Sequence, residues 1–168
     1  AYFGEFNGAR KDRCDRLADS FTRARLGARA CEDIHPVQWE KVVQVGGASA
    51  WSTSTLSGIP ALDSWVGLAC AAGAAHYVQI AKELLAVYGA LGYAPQNFFA
   101  PLSRLQEIAA MNTEDAVAMM RALASERQVE GRPPVRTSMH GDVLAGRKTE
   151  VDIILRPLID AAAEHSVP

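Results

Sequence analysis

Apolar residues recur at helical spacing along nearly the whole chain, and only one short segment alternates. Ile80, Leu84, Leu85 and Tyr88 share one face at a period of 3.6 residues, as do Val151, Ile154, Leu155, Leu158, Ile159 and Ala162. A helix satisfies its own backbone but buries only a stripe of side chains, so such helices must pack on one another. The predicted fold class is all-α, a bundle of about seven helices. Tyr2 to Asn7 is the exception: it alternates aromatic and other residues and stops at Gly8, which reads as a short strand ending in a turn. No other segment reads as a strand, so this one is expected to have no partner within the chain, an unusual state for an isolated strand.

Turn and cap residues divide the remainder. Ala9 to Leu26 reads as an amphipathic helix with Leu17, Phe21 and Ala24 on its apolar face and Gly27 as C-cap. Asp33 stands before His35-Pro36, a helix start with proline in the first turn, and that helix should reach Ser49 or beyond. Gly46-Gly47 lies inside it. Each glycine costs about 1 kcal/mol relative to alanine there, so the pair predicts close backbone packing or a bend. Pro60 opens a helical region that runs, with or without a break, to about Leu91, and Trp65 to Ala81 within it reads as a buried core helix. A membrane span would need roughly 20 apolar residues. Tyr93 to Asn97 reads as a loop, Pro101 to Ala110 as a short helix, and Thr113 starts another with Val117, Met120 and Leu123 inward. Gly131-Arg132-Pro133-Pro134 is a breaker. Ser138 to Ala145 is then a short helix closed by Gly146, and Thr149 caps a last helix that Pro157 should kink.

Several functions are disfavoured by what the chain lacks. A net charge of -2 over 168 residues gives no electrostatic attraction to nucleic acid or to an anionic membrane. Cys14, Cys31 and Cys70 form no CxxC pair, so neither a metal site nor a disulfide scaffold is expected. A reducing, cytoplasmic setting fits them best. The first residues do not follow the basic-then-apolar pattern of a signal peptide. No GxGxxG and no GxxxxGK[ST] occurs, so the chain carries no dinucleotide or phosphate cradle of its own. His35, His76, His140 and His165 show no HExxH spacing and are expected to be surface or cap residues.

Three polar residues stand out. Lys41 has Gln44, Val45, Ala48 and Ser49 as same-face helical neighbours, which is apolar and small company for a lysine. Desolvated there, it would give up a proton near neutral pH; alternatively its stem lies along the core edge with the ammonium in water. Glu150 follows Thr149 at a helix start, where the macrodipole favours its charged form; it reads equally as a capping carboxylate. Ser138 starts the preceding helix and reads most simply as its N-cap, although a helix start also suits a bound carboxylate.

These residues lie in a pattern. Thr137-Ser138-Met139, Asp142, Ala145-Gly146-Arg147 and Thr149-Glu150-Val151-Asp152 resemble the SSM…QD…AGR.TEID signature of the ketopantoate reductase (2-dehydropantoate 2-reductase) family. His165-Ser166-Val167-Pro168 resembles its H-G-[IV]-P ending. Asp33-Ile34 with Trp39-Glu40-Lys41-Val42 resembles its DI…WEKL motif, and Gly4-Glu5-Phe6-Asn7-Gly8 its GE.DG strand. The resemblance implies that residues 1–8 are the last strand of an N-terminal Rossmann domain and that 9–168 form a helical substrate-binding and dimerisation domain, similar to the C-terminal domain of 6-phosphogluconate dehydrogenase. It implies reduction of a small-molecule 2-oxo acid by NADPH, a cofactor bound mainly outside this chain. Partners would be the Rossmann domain and a second copy in a homodimer. By position, Lys41 is the general acid, Glu150 its partner and a cofactor contact, and Ser138 the carboxylate anchor.

Four positions depart from the family: Ala50 stands where it has proline, Pro157 interrupts a helix that is normally continuous, and two substrate-contacting positions differ. Asparagines usually follow the lysine at four and eight residues; here they are Val45 and Ser49, and only Ser49 keeps a side chain able to contact substrate. The 2-oxo acid chemistry is therefore expected to carry over better than ketopantoate itself. Two further readings stay open: a non-catalytic helical module for oligomerisation or ligand binding, and a β-hydroxyacid-type dehydrogenase acting on another acid.

Overall fold

The computed structural model describes residues 1–9, 11–56, 59, 63–100 and 103–168. They form two compact units, Ala1–Lys41 and Val42–Pro168.

The first unit holds a strand, a helix and a second strand. Strand β1 (Tyr2–Phe3) pairs in parallel with β2 (Arg29–Ala30), Tyr2 opposite Arg29 and Phe3 opposite Ala30. The expectation of a strand without a partner is thus corrected. A two-residue strand leaves no alternating pattern to detect. Helix α1 (Asp12–Arg23) crosses between them and packs on both. Its inward residues are Cys14 and Ala18, with Phe21 edge-on to Phe3 at 5.1 Å. Leu17 is instead 45% exposed, and the cap is Ala24, not Gly27. The acidic first turn and the closing Arg23 match the helix dipole. Arg13 and the Glu5 carboxylate form a bidentate pair, which holds Glu5 below the usual carboxylate range. Asp33 accepts the backbone N–H of His35 at 2.9 Å, so the start of helix α2 (His35–Leu56) is capped as the sequence implied. That bond holds the Asp33 carboxyl low.

The second unit is built on helix α4 (Ala71–Ala90), with α3 (Ser64–Ala69), α5 (Leu105–Ala110), α6 (Thr113–Glu126) and α8 (Val151–Glu164) against it. With α7 (Ser138–Leu144) there are eight helices among the described residues, one more than expected. The extra one arises at Cys70, whose extended backbone (ψ 135°) splits the anticipated Trp65–Ala81 core helix in two. Pro60 and Pro101, expected to open helices, lie outside the described residues. On α6 the inward positions are Ala116, Met120 and Ala124, while Val117 and Leu123 are half-buried. Asn112 caps that helix by accepting from Asp115 N–H at 2.9 Å. Helix α8 continues through Pro157.

Glycine sets several close approaches. A Cβ on Gly46 would lie 3.0 Å from Leu158 Cδ1, and one on Gly47 would lie 3.4 Å from Leu84 Cδ1. The pair therefore serves close packing inside an unbroken α2. Where α3 turns into α4 the fit is tighter: a Cβ on Gly73 would stand 2.1 Å from the Gly67 carbonyl oxygen. The Gly73 carbonyl in turn accepts the Trp51 indole N–H at 2.7 Å. Among the described residues no helix is long and apolar enough to cross a membrane.

Candidate functional site

Lys41 lies on α2 and is exposed, which agrees with the second of its two readings, a stem along the core edge with the ammonium in water. Its neighbour Glu40 is the fully buried residue, at 0% exposure, and the sequence reading passed over it. Further along α2, Ser49 is buried at 3%, and its carbonyl accepts Ser52 Oγ at 3.2 Å and Thr53 Oγ1 at 2.8 Å. Val45 is half-buried.

The two residues that also read as helix caps turn out not to cap. Thr137, not Ser138, is the N-cap of α7, and its hydroxyl accepts the His140 N–H at 3.2 Å. Ser138 is exposed in the first turn. Glu150, not Thr149, occupies the cap position of α8, yet its side chain makes no capping hydrogen bond; only its carbonyl serves, accepting from Ile153 and Ile154 at 3.0 Å. The Glu150 carboxylate is exposed. Local helix formation therefore does not account for the serine hydroxyl or the carboxylate.

The second unit fastens α2 to the start of α7 directly. Ser52 Oγ and Thr137 Oγ1 share a hydrogen bond of 2.7 Å. Beside it is a cavity of about 160 Å³. Gln44, Ala48 and Trp51 of α2 form one wall, at helical spacing. Ser64, Trp65 and Leu68 of α3, Tyr77 of α4 and Met120 of α6 form most of the remainder, and Val135, Arg136 and Thr137 close it. The segment carrying Arg136 is tied down: Val135 carbonyl accepts Ser64 N–H at 2.8 Å, and Asp63, which caps α3, sits beside it. Trp65 is held by the Arg127 guanidinium at 5.3 Å from its ring centre. Trp51 meets Tyr77 edge-on at 5.9 Å. Burial pushes the Tyr77 phenol up to about 12, so this wall stays neutral. Nothing local in the sequence marks this cavity, since its walls come from four helices and a loop.

His140 corrects an expectation. It is fully buried, not a surface residue. Its Nε2 lies 3.1 Å from the Leu56 carbonyl oxygen, which can only accept, so Nε2 carries the proton. Nδ1 is then a buried lone pair with no partner. Burial, with the Arg136 charge, pushes the imidazole below its ordinary value. The unfolded chain consequently binds more protons below about pH 6.5, and stability should fall as pH drops through that range. Urea midpoints measured at about pH 7.5 and about pH 5.5 test this: the difference should shrink in His140→Leu. Equal pH dependence in both proteins would exclude it.

The three cysteines are free thiols and differ in reactivity. Burial raises Cys14 and Cys31, whereas the N–H groups of Gly73 and Ala72 lower Cys70 at the start of α4. Iodoacetamide at neutral pH should label Cys70 first, as read by peptide mass spectrometry. Equal labelling of all three would contradict the assignment. Among the described residues no group of His, Cys, Asp or Glu could hold a metal ion.

The family pattern described as ketopantoate reductase PanE/ApbA C terminal matches residues 33–168. The chain belongs to this family. The solved 2-dehydropantoate 2-reductase of Methylococcus capsulatus is similar in fold to this chain, with a TM-score of 0.66 and 24% identity. The alignment covers 99% of this chain and 45% of that enzyme, so the chain spans less than half of its length. No curated protein matches the chain in sequence.

Proposed function

We propose that this chain is the substrate-binding and acid-supplying part of an oxidoreductase that reduces a 2-oxo acid with NADPH. In this reading residues 1–8 close an N-terminal Rossmann domain and residues 9–168 form the substrate domain. The whole protein works in the cytoplasm as a homodimer. One observation carries the reading beyond family membership: Ser138 and Glu150, both motif residues, spend neither hydroxyl nor carboxylate on capping the helices they start.

NADPH supplies the hydride when bound. Of this chain's residues, Glu150 suits it, as an exposed carboxylate able to accept from a ribose hydroxyl. Hydride addition at C2 leaves negative charge on the 2-oxo oxygen, and Lys41 donates a proton to that oxygen. Glu150 keeps the lysine charged and oriented. Ser138 donates to the substrate carboxylate, and Ser49 is the remaining polar position where the family has asparagine. On α2, Gln44 and Ala48 follow Lys41 at three and seven residues and line the cavity, which supports a substrate lying along this stripe.

NADPH oxidation by the full-length protein over a panel of 2-oxo acids tests the proposal. Ser138→Ala should raise KM about 10-fold or more, the loss of one hydrogen bond to a charged group, with a smaller change in kcat. No turnover of any 2-oxo acid by the wild type would overturn the reading. Val45 and the burial of Ser49 favour a second reading, a ligand-binding or oligomerisation module without catalysis. In that case the acid would bind but not be reduced.

A further inference from the structure

We propose that the 160 Å³ cavity receives the side group of the substrate, and that this group is apolar and about the size of a phenyl ring. The inference rests on the reductase reading for the words "substrate" and "side group"; the cavity itself does not. Size comes first. A protein cavity of about 150 Å³ with apolar walls is enough to take up benzene. The wall chemistry agrees: Trp51, Trp65 and Tyr77 offer ring faces and edges, and Leu68 and Met120 complete an apolar lining.

The polar lining residues are Gln44 of α2, Ser64 of α3, and Arg136 and Thr137 before α7. Thr137, which lines the cavity, is next in the chain to Ser138, the proposed carboxylate anchor. Arg136 lines the same side and adds a positive charge suited to an acid. An acid with its carboxylate there would direct its side group between Trp51 and Trp65. A hydroxylated side group, such as that of ketopantoate, would give up water on entering this lining. One of the two asparagines that the family resemblance places against substrate is Val45 here, which offers such a group no hydrogen bond. The departure at Val45 and the aromatic cavity thus point the same way, toward an acid with an apolar rather than a hydroxylated body.

Calorimetric titration of the 168-residue chain with 3-phenyllactate and with lactate tests this, because the cavity lies wholly within residues 44–137. The two acids share the 2-hydroxy carboxylate and differ only in phenyl against hydrogen at C3. Phenyllactate should bind at least about tenfold tighter. Ala48→Leu, which fills the cavity from α2, should bring phenyllactate down to the level of lactate. Equal affinity of the two acids for the wild-type chain overturns the proposal, whether or not the variant folds. So does a preference that survives in folded Ala48→Leu. Parallel kinetics on the full-length protein separate this from the reductase reading. Reduction of pyruvate and phenylpyruvate with equal kcat/KM would remove the pocket and keep the enzyme. Tight phenyllactate binding with no reduction of either would keep the pocket and remove the enzyme.

Discussion

Lys41→Ala in the full-length protein is expected to lower kcat for 2-oxo acid reduction by roughly 10²- to 10⁴-fold, the range contributed by a positioned proton donor. That corresponds to about 3–5 kcal/mol of barrier at about 1.36 kcal/mol per tenfold. KM should move far less, because the proton is needed only as charge builds on the 2-oxo oxygen. Lys41 is exposed on α2, so truncating it removes no core contact, and a Tm close to wild type should accompany the loss. Steady-state kinetics and a melting curve on the same preparation check both. Unchanged kcat removes Lys41 from the mechanism. A parallel fall in Tm would instead trace the loss to structure. Glu150→Gln should reproduce part of the kcat defect, since it retains shape but not charge.

Gly73→Ala is expected to destabilise the fold by at least about 3 kcal/mol, the upper part of the range for overpacking. The new methyl group would stand 2.1 Å from the Gly67 carbonyl oxygen, a backbone atom at the α3–α4 turn. A flexible side chain can swing aside; this carbonyl moves only if α3 moves, and α3 carries the buried Trp65 and Leu68. Moving Gly73 also disturbs the 2.7 Å bond from Trp51. The shift in Tm should be roughly 6–12 °C, taking about 2–4 °C per kcal/mol for a domain of this size. Gly89→Ala on the same helix is the control. It is exposed, and nothing lies within 4 Å of its Cβ position. Alanine's better helix propensity, about 1 kcal/mol, should there raise Tm. Equal effects at the two sites would rule out the steric argument.

How much of this was legible depends on the length of each element. The long helices α4, α6 and α8 showed themselves by periodicity, because many turns repeat the same face, and α2 by its Asp33 to Pro36 start signal. Gly46-Gly47 was read as a mark of close packing or a bend, and the Leu158 and Leu84 side chains against it select the first. A break in the Pro60–Leu91 region was open in the sequence, but its position at Cys70 was hidden by Ala and Gly on both sides, which suit a continuous helix as well as a turn. Strand β2 was invisible because Arg29 and Ala30 offer no pattern. Thr137 and Ser138, like Thr149 and Glu150, are adjacent residues of capping type, and composition does not choose between such neighbours. His140 sits in a helix too short to reveal which face is buried. The catalytic candidates Lys41, Ser138 and Glu150 stood out through family motifs. Arg136 and the aromatic cavity had no such signal, because residues far apart in sequence meet there only after packing.

The α3–α4 turn also constrains how the gene can vary. Every base change in a glycine codon that yields another amino acid adds a Cβ. At Gly73 that atom meets the Gly67 carbonyl, and at Gly67 it would lie 2.9 Å from both Leu56 Cδ2 and Trp51 Cη2. Neither codon has a permissive neighbour. A library of random point variants selected for folded protein should be depleted of substitutions at these two positions, while Gly89 accepts many.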